Sequence, residues 1–297
     1  MRILLTGASG FVGGHLVKRL LEEEHEVHVL VRPSTDLDIF GSGLDRIASH
    51  VYRGTTGNMI ELVETARPDA VIHLASLFLG EHKVENVDDL IASNVLLSTQ
   101  LAEAMVANDV ESLINVGTSW QHYEDGDYDP VNLYAATKQA FRSILSYYVE
   151  VSNLKVINLE LFDTFGPDDQ RGKIFSLLDR LTTSGDSLSM SPGDQQINPV
   201  YIDDVSAAFV IALHRLRTGT VQKEETYSVR SDNPVNLREL VEIYETVTGI
   251  PLKIEWGGRP YRDREVMLPW TRGETLPGWK TEVSLQEGIK RILGPNV

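Results

Sequence analysis

The chain has no cysteine, so neither a disulfide framework nor a zinc–thiolate site is open to it. Basic residues are scarce: 27 lysines and arginines stand against 43 aspartates and glutamates, a net charge of −16. Nucleic-acid binding needs a basic footprint, and this balance argues against it. No apolar run reaches about 18 residues, the length a membrane-spanning helix requires. The apolar-leaning start at residues 1–5 meets Thr6-Gly7 at once and is too short for a signal-peptide core. The expectation is a cytoplasmic protein with no membrane and no nucleic-acid partner. The histidines show no metal-ligand spacing, since His25 and His28 flank a strand and His122 stands alone, so no metal is expected. GxSxG, P-loop and HExxH patterns are missing as well. What remains is ordinary globular composition, 42% hydrophobic and 24% charged. The 297 residues suffice for a large core and about two domains.

Short β-like runs alternate with helical periods through the first half. Strands are expected at 2–6, 26–31, 50–53, 70–74, 112–116 and 154–161. Helices are expected at 11–21, where Phe11, Val12, Leu16 and Leu20 repeat at helical spacing, and at 87–108 and 133–152. Strands separated by helices imply βαβ crossovers, hence an α/β fold with a doubly wound parallel sheet covered on both faces. After Gly166-Pro167 turn residues become denser, with further helices at 173–184, 202–217, 237–249 and 284–293. Residues 1–165 are read as the first domain, to which 200–222 returns. Residues 166–199 and 223–297 are read as a smaller, discontinuous α/β cap that binds substrate.

Gly7-Ala8-Ser9-Gly10-Phe11-Val12-Gly13 joins the first strand to the first helix. The first glycine permits the tight turn, the second lets a pyrophosphate approach the backbone, and the third lets the helix pack on the strand. Free N–H groups at the helix start then face the phosphates. This is the dinucleotide fingerprint of a Rossmann domain. Its second strand ends in Arg32, followed by Pro33-Ser34, where NAD enzymes usually carry an acid for the ribose 2′-hydroxyl. An arginine there pairs with a 2′-phosphate, which favours NADP(H) over NAD(H). Tyr134 and Lys138 lie four residues apart on one helical face. The lysine charge is expected to lower the phenol's pKa, and the phenol to exchange a proton while hydride moves to or from nicotinamide. Thr118 and Ser119 end the fifth strand, where a hydroxyl reaches a substrate carbonyl.

These residues resemble the extended short-chain dehydrogenase/reductase family, the NAD(P)-dependent sugar-nucleotide epimerases, dehydratases and reductases. The resemblance covers nearly the whole chain. His73-Leu74-Ala75-Ser76 resembles the fourth-strand segment that lies along the cofactor, and Asn94-Val95 the helix motif whose asparagine braces the site. Phe165-Gly166-Pro167, Val200-Tyr201-Ile202-Asp203-Asp204-Val205 and Gly278-Trp279-Lys280 resemble its later motifs. A closer resemblance, carried by residues 117–123, 130–141, 161–167 and 190–193, is to the CDP-abequose synthase group of sugar-nucleotide 4-ketoreductases.

The resemblance implies Ser119 as carbonyl polariser, Tyr134 as acid/base and Lys138 as its helper, with Thr118 as a neighbouring candidate. It implies cofactor contacts at Gly7, Ser9, Gly10, Phe11, Val12, Gly13, Arg32, Ser34, Leu74, Ala75, Ser76, Tyr134, Lys138, Leu161 and Thr164. The acid often found after the third strand is missing, and Thr55, which sits near its place, is expected at the cofactor with them. The family's Arg-x-x-Asn before Gly-Pro is here Glu160 and Asp163, and the arginine before the re-entry strand is replaced near Ile197-Asn198. The substrate implied is a nucleotide-diphosphate sugar, CDP-linked by preference, and an acidic protein needs a local cationic cluster to hold it. Candidates, together with Asp163, are Lys173, Arg230, Arg259, Arg262 and Arg264.

Dehydratases of the family follow Ser/Thr with Asp-Glu, whereas Trp120-Gln121 offers no proton exchange at neutral pH. The reading is therefore NADPH-dependent reduction of a 4-keto-6-deoxy or 3,6-dideoxy hexose in deoxysugar and surface-polysaccharide (O-antigen) synthesis. An NAD-dependent 4-epimerase is the alternative. A non-catalytic dinucleotide sensor is a third, although such proteins typically lack the tyrosine and lysine. The two long helices are expected to pair in a homodimer, as they usually do in the family.

Overall fold

The computed structural model describes residues 1–294. Thirteen strands are formed among them: β1 (Arg2–Thr6), β2 (Glu26–Val31), β3 (Ile47–Val51), β4 (Ala70–His73), β5 (Ser112–Thr118), β6 (Lys155–Leu161), β7 (Asp163–Phe165), β8 (Ser187–Met190), β9 (Gln196–Ile197), β10 (Pro199–Tyr201), β11 (Glu224–Val229), β12 (Val235–Asn236) and β13 (Lys253–Trp256). Seven make one wholly parallel sheet in the order β11-β6-β5-β4-β1-β2-β3. The remaining strands pair two by two, as β7 with β10, β8 with β13 and β9 with β12. The α-helices are α1 (Phe11–Glu22), α2 (Thr56–Ala66), α3 (Val87–Ile91), α4 (Leu97–Ala107), α5 (Leu133–Val151), α6 (Ile174–Ser184), α7 (Ile202–Arg217), α8 (Leu237–Thr248) and α9 (Leu285–Leu293).

Alternation along a strand sends neighbours to opposite faces. Ile3 and Leu5 share one apolar cluster with Leu16 and Leu20 of α1 and Phe209 and Leu213 of α7. Leu4 joins Met59 and Val63 of α2, Leu101 of α4 and Phe141 and Leu145 of α5 on the other face. Burial on both faces is what a parallel sheet demands. Strand order reverses between β1 and β4, so a crevice opens beyond the carboxyl ends there.

Four expectations are corrected. Residues 224–229 do not belong with the cap: β11 pairs along its whole length with β6, Tyr227 opposite Leu159, and closes that edge of the sheet. The segment Glu-Glu-Thr-Tyr-Ser-Val is polar enough to conceal a strand. The third strand runs 47–51, three residues earlier than expected. Helix α2 was not expected, although Thr55 caps it by accepting the Asn58 N–H, and Met59, Val63 and Ala66 give its buried face. The 87–108 helix is interrupted by a π-helical turn over Ala92–Leu96, which carries Asn94 inward.

The stretch Val84–Ala107 is long and apolar enough for a membrane span by length and composition, where the sequence expectation counted none; its window has a mean hydropathy of 1.4 and is 44% buried. In this fold it packs on α2 and α5. Its buried face includes Asn94, Ser98 and Gln100.

The C-terminal segment returns to the sheet through α7. The Trp279 indole N–H donates to the Asp204 carbonyl at 2.7 Å, and the N–H groups of Glu282 and Val283 donate to its carboxylate at 3.1 and 3.0 Å. Two motifs 75 residues apart thus form one contact.

Candidate active site

The glycines after β1 do what their positions require. Gly7 has φ +72°, and a Cβ there would lie 2.6 Å from the Ala75 nitrogen. A Cβ on Gly13 would lie 2.1 Å from the Gly7 carbonyl oxygen, so α1 sits on β1 as closely as backbone permits. A Cβ on Gly10 would meet only the Gly7 oxygen, at 3.3 Å, and Gly10 caps α1 with no side-chain hydrogen bond. The first-turn N–H groups of α1, with Phe11 and Val12 among them, are thus left for an anion, and the loop fits a dinucleotide diphosphate. Leu74 and Ala75 lie alongside, tied to Thr6 by their N–H groups at 3.2 and 3.1 Å.

At the end of β2, Arg32 and Ser34 are exposed and line an open depression of about 600 Å³ with Ser9. Thr35, Asp36, Asp38 and Ile39 line it too and were not picked out from the sequence. Thr35 closes the turn on Arg32, and the Asp36 carboxylate is taken up by the Asp38 N–H. Thr55, expected at the cofactor, has its hydroxyl oxygen committed to capping α2.

Tyr134 and Lys138 are both buried on α5. Asn132 caps this helix through the Ala135 N–H and donates to the carbonyls of Leu79 and Gly80, which fixes where Tyr134 begins its turn. The expected lowering of the phenol's pKa by Lys138 is not found. Burial pushes Tyr134 up to about 12, while the Ser76 hydroxyl and the charge of Arg171 act the other way. Burial also brings the Lys138 ammonium down to about 8. With both groups out of water, desolvation is the largest cause of both shifts. Thr137, between them, donates to the Tyr134 carbonyl and accepts from Asn94. Asn94 also holds both backbone groups of Leu77, so the asparagine expected as a brace does brace. Behind Lys138, His73 bonds Thr6 and Ser98 through its two ring nitrogens. Burial, aided by the lysine charge, pushes its pKa down to about 3.

Ser119 opens a 3-10 turn after β5 that packs on α5. Thr118 caps this turn by accepting the Trp120 N–H, which leaves Ser119 as the hydroxyl without a capping duty. The loop returns through Val131 N–H to the Trp120 carbonyl at 2.9 Å. Glu160 does not face the substrate side. It accepts from Arg142 at 2.8 Å and pairs with His122 at 2.8 Å in the interior, so His122 is not alone. Trp270 stacks on His122 with ring centroids 3.8 Å apart.

The cations expected at the substrate divide. Lys173 and Arg262 both feel Asp163, which accepts the Asn198 N–H. Lys173 lies over the Phe78 ring and Arg262 over Trp120. Arg262 also pairs with Glu265. Arg264 does not join them: it pairs with Asp129 and stacks on Tyr123. Arg230 follows the carboxyl end of β11 with its Nε buried and unpartnered. Leu161 ends β6 and Thr164 lies within β7, where its carbonyl accepts from Arg171. Arg171 was missed in the sequence. It lies 4.3 Å over the Phe11 ring, and its charge reaches Tyr134 and Lys173. Its place just past Gly166-Pro167 was the available signal. Among the described residues no three His, Asp or Glu side chains gather as a metal site.

The model of the NAD dependent epimerase/dehydratase family matches residues 3–229. The chain belongs to this family. It is therefore an NAD(P)-dependent enzyme acting on sugar nucleotides. Within the family it is 29% identical to CDP-abequose synthase of Yersinia pseudotuberculosis over 271 residues, covering 91% of this chain and 92% of that one. It is 26% identical to UDP-glucose 4-epimerase of Mycolicibacterium smegmatis, covering 99% and 97%. Among solved structures, the UDP-glucose 4-epimerase of Thermus thermophilus in complex with NAD superposes with a TM-score of 0.83 at 24% identity, covering 99% and 98%. That likeness shows the shared fold.

Proposed function

We propose that the chain is an NADPH-dependent 4-ketoreductase of a nucleotide-linked 4-keto-6-deoxy or 3,6-dideoxy hexose, CDP-linked by preference, in cytoplasmic deoxysugar synthesis for surface polysaccharide such as O-antigen. The observation that carries this reading is the proton inventory beside Ser119. Trp120 and Gln121 follow it, neither able to act as acid or base at neutral pH, while Tyr134 is a phenol held protonated by burial. Such a site donates one proton and has no carboxylic pair for dehydration. When bound, the nicotinamide supplies hydride to the keto carbon. Tyr134 gives its proton to the carbonyl oxygen, Ser119 donates a hydrogen bond to that oxygen, and Lys138 holds positive charge below the phenol. Lys173, Asp163 and Arg262 line the approach for the nucleotide end, with Arg230 and Thr118 as further contacts. Exposed Arg32 and Ser34, in the depression beside Ser9, support NADP(H) over NAD(H).

Exposed Val84, Val87, Ile91 and Leu96 on the first long helical stretch, with Tyr147 and Val151 on α5, support a homodimer through these helices. The kinship to UDP-glucose 4-epimerases keeps one second reading, a C4-epimerase that retains NAD. Following NADPH absorbance with CDP-, dTDP-, GDP- and UDP-4-keto-6-deoxyhexoses tests both. Consumption of NADPH with at least one ketone is the expected result. A protein that is purified carrying NAD and inverts C4 with no net cofactor change overturns it.

A further inference from the structure

Phe78 stands beside the reactive phenol and has no part in the proton chemistry above. The residue is 41% exposed, yet the backbone around it is held on both sides. Asn94 takes the Leu77 N–H at 2.7 Å and gives a hydrogen bond to the Leu77 carbonyl at 3.0 Å. Asn132 donates to the Leu79 and Gly80 carbonyls at 3.1 and 2.9 Å. Four hydrogen bonds thus hold the backbone on either side of an aromatic residue that remains open to solvent. The ring stands perpendicular to Tyr134, with centroids 5.0 Å apart. Trp120, the residue after Ser119, lies 5.7 Å from Phe78. The Phe78 ring thus lies against both the reactive phenol and the ring of the residue next to Ser119.

Resting on the ketoreductase reading, we propose that Phe78 and Trp120 are specificity-determining residues that receive the deoxygenated edge of the sugar next to the reacting C4. That edge is either C3 or the C5 substituent, C6. Lys173 lies over part of the Phe78 ring and Arg262 over part of Trp120. A hydroxyl pressed on the ring surface these cations leave uncovered loses its water and meets no partner there, whereas a methyl or methylene gains contact. Selection for a deoxy sugar thus comes from an apolar wall rather than from a hydrogen bond to a hydroxyl.

The test uses the full-length protein in the oxidation direction, where the substrates are stable alcohols. Initial rates with NADP⁺ are measured on a hexose, its 6-deoxy and its 3,6-dideoxy counterpart of the same C4 configuration, each in CDP-, dTDP- and UDP-linked form. A preference of about 10- to 100-fold in kcat/KM over the parent hexose is expected, the range an apolar pocket gives against an added hydroxyl. The step at which it appears separates C6 from C3. Trp120→Ala and Phe78→Leu, each checked for folding by NADPH binding, are expected to shrink it to about threefold or less. Oxidation without preference in the wild type, or an undiminished preference in both variants, overturns the assignment and leaves the ketoreductase standing. No NADP⁺-linked oxidation of any of these alcohols, or C4 inversion without cofactor turnover, overturns both.

Discussion

At the residue scale the site rests on a buried phenol and a buried ammonium. Burial pushes Tyr134 up to about 12, which leaves the phenol protonated and able to donate to a carbonyl oxygen. Tyr134→Phe is expected to lower kcat by about 10²- to 10⁴-fold, the usual worth of a positioned acid. NADPH affinity, read by fluorescence titration, should stay within about threefold, because the hydroxyl adds little to the glycine-loop contacts. Lys138 loses its proton above about 8. The rate is expected to fall as pH rises through that value, and a kcat profile between pH 6 and 10 checks the direction. The tyrosine and lysine were legible in the sequence because their spacing alone puts them on one helical face. The inversion of the expected phenol shift was not legible, since burial has no signature in a four-residue interval.

At the scale of elements, the strand–turn–helix after β1 was readable residue by residue, since each glycine answers a steric demand of the backbone itself. The role of Glu160 was not. It looked like a gap in the family's diphosphate contacts, yet β6 turns it to Arg142 of α5 and His122 of the catalytic loop. Removing Arg142 leaves the buried Glu160 carboxylate with His122 as its remaining partner, so Arg142→Met is expected to cost about 3 kcal/mol, measured by urea unfolding. Glu160→Gln with Arg142→Met should recover part of that loss. His73, on β4, governs the acid side of stability. It stays neutral in the fold down to about 3 but takes up a proton in the unfolded chain below 6.5. Stability is therefore intact above 6.5 and is lost as pH falls toward 3, by up to roughly 5 kcal/mol. Thermal unfolding across that window should show the limb, and His73→Gln should flatten it.

At the scale of the whole molecule, the proposed homodimer would cover the apolar side chains left exposed on two helical elements. Ile91→Lys with Tyr147→Lys is expected to turn a dimer into a monomer in sedimentation equilibrium, with the sheet unaffected by circular dichroism. The same scale marks what each level of description decides. The amino-acid order determined the parallel sheet, the dinucleotide loop and the tyrosine–lysine pair, because aliphatic period, glycine sterics and helical spacing are local properties of the chain. Only the tertiary structure decided that β11 belongs to the sheet, that Arg264 is taken by Asp129 while Arg171 comes to the phenol, and that Phe78 stands gripped at the cleft. Those depend on which distant side chains meet and which lose their water, and both are fixed by packing rather than by order along the chain.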